Sequence, residues 1–173
     1  MPIAVIAEIN PFAVTKRHDQ GWVDEVFTDL NALLQRIQTA RSNKEAVSLA
    51  FQGNIVNLWE ALASQQIEIE LGSDQTSLHN PWAGGYYPVD LSFEDANKLM
   101  AEDPDAFRCA VQRTLIRHTN AINQMTANGM YFFDYGNAFL LEASRAGADV
   151  LLADGSFKYP SYVQDIMGPL CFD

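Results

Sequence analysis

Apolar positions along this chain fall into short continuous runs that alternate with stripes at helical spacing. Ile3 to Glu8 (IAVIAE) is an apolar run ending in an acid and predicts a strand. Asn10 followed by Pro11 predicts a helix N-cap and first turn, with a helix to about Gln20 and Gly21 as its left-handed stop. Trp22 to Phe27 holds a weaker strand candidate, interrupted by Asp24 and Glu25. Thr28 predicts the cap of a second helix, whose face carries Leu30, Leu33, Leu34 and Ile37. Glu45 to Gln52 reads as a strand halted by Gly53. Asn54 then caps a helix carrying Ile55, Leu58, Trp59 and Leu62, and Ile67 to Leu71 predicts the next strand. Strands alternating with helices of this length argue for βαβ units and an α/β fold with a mostly parallel sheet.

The second half continues the pattern. Ser92 caps a short helix to Asp103, where Asp103-Pro104 restarts a longer one. Its stripe is Phe107, Val111, Leu115, His118, Ile122 and Met125, closed by Gly129. Met130 to Asp134 is aromatic and β-prone. It ends in the polar break Tyr135-Gly136-Asn137, and Asn137 starts a helix through Arg145. From Ala148 onward the tail reads as irregular. Trp22 and Trp59 fall within strand or helix patterns and are expected to pack.

Between the halves lies Gly72 to Pro88, a stretch with almost no periodicity. Asp74, Gln75, Thr76, Ser77, His79 and Asn80 place six hydrogen-bonding side chains within seven positions. A polar, glycine-rich loop at the carboxyl end of a buried strand is where open α/β sheets bind ligands. Tyr135 ends a second strand in the same way. Glu8 does so for the first, where a carboxylate can accept both hydroxyls of a ribose.

Composition narrows the partners. The 173 residues suffice for one domain with a real core, and 48% are hydrophobic, which excludes a disordered chain. Eleven Lys and Arg against 22 Asp and Glu give a net charge of −11, which argues against nucleic acid and anionic membranes. No apolar run approaches the ~18 residues of a membrane span, and no signal peptide is visible. Cys109 and Cys171 sit in unrelated contexts, so a reducing, cytoplasmic setting is the default. Cys109 reads as a small buried residue and His118 as a core histidine. His79 could act as a base, a ligand or a loop hydrogen-bonder. It lacks a second His or Cys at ligand spacing, so no metal site is expected. A nucleophilic pairing of Cys171 with His79 is conceivable, although nothing in the sequence orients it.

The stretches DQTSLHNPWAGGYYP, GMYFFDYGNAFLLEASRAGADV and FKYPSYVQDIMGPLCFD resemble the urocanases, also called urocanate hydratases. VIAEINPFAVTKRHDQGWVDEVF and FQGNIVNLWEAL fit the same family, so the resemblance runs from Ile3 to Asp173. It implies a Rossmann-like, three-layer NAD-binding domain over residues 1–135. Residues 136–173 would be a helix and irregular tail returning to a core domain. It also implies a cytoplasmic homodimeric lyase that hydrates urocanate to imidazolonepropionate in histidine breakdown. NAD⁺ would serve there as an electrophile toward the substrate imidazole rather than as a hydride carrier.

Carried over by motif, the cofactor contacts would be Glu8, Asn54 and Ile55, then Gln75, Thr76, Ser77, Leu78 and His79, and finally Tyr86, Tyr87 and Tyr135. Cys171 would be the catalytic thiol. Two departures stand out. No GxGxxG or equivalent glycine-rich segment occurs, so the first strand, phosphate turn and helix of the fold are expected to lie before Met1. Ala13 occupies a position where some members carry arginine. The chain is therefore expected to be a piece that is inactive alone. A stand-alone nucleotide-binding or regulatory module, and an NAD-linked oxidoreductase domain, are the competing readings.

Overall fold

The computed structural model describes residues 2–136 and 138–172, so the start of a helix at Asn137 lies outside the described residues. The chain forms two compact units, Met1–Leu62 and Ala63–Asp173.

The first unit is built on a three-stranded parallel sheet of order β1-β3-β2. β1 is Ile3–Glu8, β2 is Glu25–Phe27 and β3 is Val47–Gln52. β3 lies between the other two and pairs Ile3 with Val47 through Glu8 with Gln52 on one side. It pairs Glu25 with Leu49 through Phe27 with Phe51 on the other. Its buried centre, Leu49, Ala50 and Phe51, follows from that central place, since both of its faces are covered. α1 (Pro11–Asp19) carries the chain from β1 past β3 to β2, and α2 (Leu30–Asn43) carries it back. Right-handed crossovers in opposite directions put these helices on opposite faces of the sheet, giving three layers. Val14 of α1 packs with Val23 and Ala50, while Leu33, Leu34, Ile37 and Ala40 bury the inner face of α2.

Local signals account for most boundaries. Asn10 accepts the Phe12 N–H at 3.0 Å with Pro11 behind it, and Gly21 at φ +73° ends α1. The cap of α2 is Asp29, not Thr28: its Oδ1 accepts the Ala32 N–H at 2.7 Å. Strand β2 is shorter than the Trp22–Phe27 pattern suggests. Asp24 is held at its threshold by Ser48, whose N–H and hydroxyl donate to Asp24 Oδ2 at 2.8 and 2.7 Å. Val23 takes the buried position there, and Trp22 is left 72% exposed rather than packed. Trp59, on α3 (Ile55–Ser64), is buried.

The second unit holds a two-stranded parallel pair, β4 (Leu71–Asp74) and β5 (Tyr131–Asp134). The apolar run Ile67–Leu71 therefore precedes most of the strand instead of forming it. Pairing with β5 selects the register Leu71 with Tyr131 through Asp74 with Asp134, which draws Gly72, Ser73 and Asp74 out of the expected loop. α4 (Phe93–Glu102) is capped by Ser92 and α5 (Pro104–Ala127) by Asp103. The whole stripe from Phe107 to Met125 is buried. Cys109 is exposed, because it falls off that stripe.

α6 is Phe139–Arg145. The tail beyond it is not wholly irregular. Leu151 bridges Phe157, residues Tyr162–Met167 form a wide helical turn, and α7 spans Gly168–Phe172. Tertiary contacts order it. The Asp134 N–H donates to the Pro160 carbonyl at 2.9 Å, and the Tyr159 ring meets Phe132 edge-on at 5.2 Å. These residues give no periodic signal, so only the packing reveals them.

Candidate functional site

Within the first unit, the parallel register puts Glu8 and Gln52 side by side at the carboxyl edge of the sheet. The turn Gly53-Asn54-Ile55 leaves from the same edge, and the Gly53 N–H donates to the Glu8 carbonyl at 3.0 Å. A Cβ on Gly53 would come within 2.4 Å of the Phe51 ring, so a side chain here would force that buried ring to shift. Asn54 is buried and its Oδ1 accepts the Val56 N–H at 3.0 Å, which caps α3. Glu8 is half-buried, and its Oε1 accepts the Asn10 N–H at 2.8 Å. Glu8, Asn54 and Ile55 thus share one edge, with a carboxylate beside a helix N-terminus. That pairing suits hydroxyl donors at the acid and electron-rich groups at the helix.

Within the second unit, Gln75, Thr76 and Ser77 leave β4 beside Tyr135, which leaves β5, and the Tyr135 N–H donates to the Asp74 carbonyl at 3.3 Å. Gln75, Ser77 and His79 are exposed. The loop closes on itself through the Ser77 N–H to the Gly85 carbonyl at 3.0 Å and the Gly85 N–H to the Asn80 carbonyl at 3.1 Å.

Leu78 and Tyr86 point the other way. Both side chains are buried, and Tyr86 Oη is hydrogen-bonded to His118 Nδ1 at 2.9 Å. What these two positions offer a ligand is backbone; the Tyr86 side chain anchors the loop to α5. Tyr87 is half-buried, donating its hydroxyl to Asn97 Oδ1 at 3.0 Å. Trp82 lies under the Arg108 guanidinium, 4.7 Å from the ring centroid. Tyr135 is stacked on Tyr162 of the tail at 5.5 Å and 8°. Cys171 is an exposed free thiol on α7.

Asp74 is legible in the sequence as one of the loop's hydrogen-bonding side chains, but the sequence reading gives neither it nor Asp134 a role in the site. Each occupies the last position of its strand and is almost wholly buried, at 2% and 4% exposure. An acid at a strand end reads as a solvated residue. The available signal was an Asp followed two residues later by a turn residue, Asp74-x-Thr76 and Asp134-x-Gly136, which is the pattern of an Asx turn.

His118 is fully buried against Phe139, and burial lowers its pKa to about 3. The unfolded chain therefore takes up a proton near pH 6.5 that the folded chain refuses until about pH 3. The stability this residue lends is fully present above pH 6.5 and is lost as pH falls toward 3. Chemical denaturation at pH 6 and pH 4 should show a loss of up to ~1.4 kcal/mol per pH unit, and His118→Phe should flatten it.

A profile of the urocanase Rossmann-like domain matches residues 2–166. This chain belongs to the urocanase family. It is 56% identical over 172 residues to the probable urocanate hydratase of Dictyostelium discoideum, covering 97% of this chain and 25% of that protein. It is 51% identical over 176 residues to the urocanate hydratase of Mus musculus, covering 97% of this chain and 26% of that protein. The probable urocanate hydratase of Halobacterium salinarum is 30% identical over 172 residues, with 97% and 29% covered. The chain spans about a quarter of the length of the first two relatives. Both units supply parallel strands with polar turns at their carboxyl ends, as expected of a Rossmann-like urocanase domain with a nucleotide-binding type of fold. Among the described residues no helix is long and apolar enough to cross a membrane.

Proposed function

We propose that this chain is the NAD⁺-holding part of a urocanate hydratase, a hydro-lyase acting in the cytoplasm as a homodimer. The observation that carries the reading is the placement of polar turns at the carboxyl ends of parallel strands in both units, in a chain 51–56% identical to proteins of that name. Residues 1–135 would hold the cofactor. Residues 136–173 would lead back toward the remainder of a longer protein, staying attached through Pro160 and Asp134.

The residues present suit the nucleoside and amide parts of a dinucleotide. Glu8 offers a carboxylate to ribose hydroxyls, Asn54 and Ile55 offer a helix N-terminus, and Gln75, Thr76, Ser77 and His79 offer hydrogen-bonding side chains. Leu78 and Tyr86 would contribute backbone, while Tyr87 and Tyr135 would contribute ring surface at the loop edges. None of these positions is a lysine or arginine, so pyrophosphate binding would depend on backbone N–H groups. NAD⁺, when bound, supplies an electrophilic pyridinium ring. The chain's own task is to orient that ring and fix the ribose. Cys171 is assigned as the catalytic thiol on the resemblance alone; a Cys171→Ala variant of a protein of the relatives' length that keeps its rate would remove it.

Titration of NAD⁺ into the purified chain tests the reading. Binding weaker than micromolar is expected (roughly −8 kcal/mol at that limit), with NMR contacts from the ribose and nicotinamide protons to the chain. No urocanate loss is expected from the chain alone. Absence of any contact at millimolar NAD⁺ would sink the assignment, and measurable turnover would overturn the division of labour. Appearance of reduced nicotinamide during turnover of the longer protein would favour an oxidoreductase.

A further inference from the structure

We propose that Asp74 and Asp134 are paired positioning residues that hold the Gln75–His79 loop and the Tyr135–Gly136 turn against the carboxyl edge of β4 and β5. The functional consequence rests on the dinucleotide reading above; the structural part does not.

The two aspartates are register partners across the parallel ladder. Both strands show the same alternation of burial, so both side chains leave the same face of the pair, the covered one. Like charges adjacent in a covered register destabilise a strand pair unless donors surround them. Donors do. Asp74 Oδ1 accepts the Thr76 N–H at 3.1 Å and the Thr76 hydroxyl at 2.7 Å. Asp134 Oδ1 accepts the Gly136 N–H at 2.9 Å, and its Oδ2 accepts the Leu140 N–H at 3.2 Å. Each carboxylate bends the chain that follows its strand back over the strand's own end. The two bends are joined where the Tyr135 N–H meets the Asp74 carbonyl. A neutral serine or asparagine could cap one such turn. Together the two carboxyl groups hold both turns, each through two bonds from the chain that follows its strand.

Burial adds a second effect. The Tyr86 phenol is held well above its ordinary pKa, first by burial and then by the Asp74 charge. That hydroxyl anchors the far end of the loop on His118.

The test compares Asp74→Asn with Asp74→Ala in this chain, with NAD⁺ as the probe. Asparagine retains an Oδ1 able to accept both Thr76 donors; alanine does not. Hydrogen exchange at the Thr76 and Ser77 amides should quicken by about ten- to a hundredfold in Asp74→Ala and stay within about threefold in Asp74→Asn. The NAD⁺ dissociation constant, read by NMR titration, should rise by about tenfold in the alanine variant only. Thermal unfolding is recorded alongside. Unchanged exchange and unchanged affinity in Asp74→Ala would overturn the proposal. So would equal loss of affinity in both variants with exchange preserved, because charge rather than position would then matter. If the unmodified chain shows no NAD⁺ contact, the functional reading fails, and the exchange data still decide whether Asp74 positions the loop. Should Asp74→Ala not fold, Thr76→Val removes the shorter bond alone. It should quicken exchange at the Ser77 amide about threefold, and unchanged exchange would count against the inference.

Discussion

Replacing Gly85 by alanine should undo the loop between β4 and α4 and destabilise the second unit more than any other single methyl group added to that loop. A Cβ at this position would lie 2.1 Å from the Ser77 carbonyl oxygen and 2.4 Å from that of Asn80. Both obstacles are backbone, and both are the acceptors or neighbours of the loop's closing bonds, Ser77 N–H to Gly85 and Gly85 N–H to Asn80. A flexible side chain could swing aside; these carbonyls cannot move without breaking the closure. Overpacking of this kind costs about 2–3 kcal/mol, which corresponds to a fall in Tm of roughly 5–10 °C for a chain of this size. Gly84→Ala is the matched control. Its Cβ would meet only the Tyr87 hydroxyl at 3.4 Å, although φ +83° adds backbone strain of its own. Circular-dichroism melts of the two variants, read with amide exchange at Ser77, check the ordering. A Gly85→Ala chain that melts with the parent and keeps Ser77 protected would show that the closure is not what holds the loop.

That loop also shows where a sequence stops being legible. β1 and α5 are local facts. The run IAVIAE is bounded by the Asn10-Pro11 start signal, and the stripe from Phe107 to Met125 repeats at helical spacing, so both are readable without knowing what they pack against. The start of β4 is not local. IEIEL has the better strand composition, yet Gly72, Ser73 and Asp74 are the residues that find β5, because pairing depends on a partner sixty residues away. Trp22 fails for a related reason: the Asp24–Ser48 clasp determines where β2 begins and leaves the indole outside. The motif resemblance named Gln75 to Ser77 and Tyr135 as cofactor contacts, and the apolar runs before them put both at strand ends. It could not show that the Leu78 and Tyr86 side chains face inward, since a list of contact positions does not separate side chain from backbone. The roles of Asp74 and Asp134 stayed hidden because burial of an acid is decided by the donors around it, and those donors are turn amides with no signature in composition.

The largest expected loss of stability comes from Phe132→Ala. Phe132 is buried in β5 and touches two aromatic partners from different parts of the unit, Phe139 of α6 at 5.9 Å and Tyr159 of the tail at 5.2 Å, both edge-on. Removing a buried phenylalanine costs about 3–5 kcal/mol through lost burial and the cavity left behind. The residue also joins the tail to the sheet. Tyr159 is held from the other side by hydrogen bonds to Asn123 and Thr126 of α5, at 2.5 and 3.0 Å. Those two bonds are polar and partly buried, and without the aromatic face they must hold the tail in competition with water. Phe132→Ala should therefore lower the Tm by roughly 10 °C and make residues 150–160 sensitive to limited proteolysis below the melt. Phe132→Leu, which keeps most of the volume but loses the edge-on ring contacts, should recover more than half of the stability. If Phe132→Ala melts sharply lower but the tail resists protease as in the parent, then the Pro160–Asp134 bond and the α5 contacts suffice to dock it. The aromatic cluster would then serve the core alone.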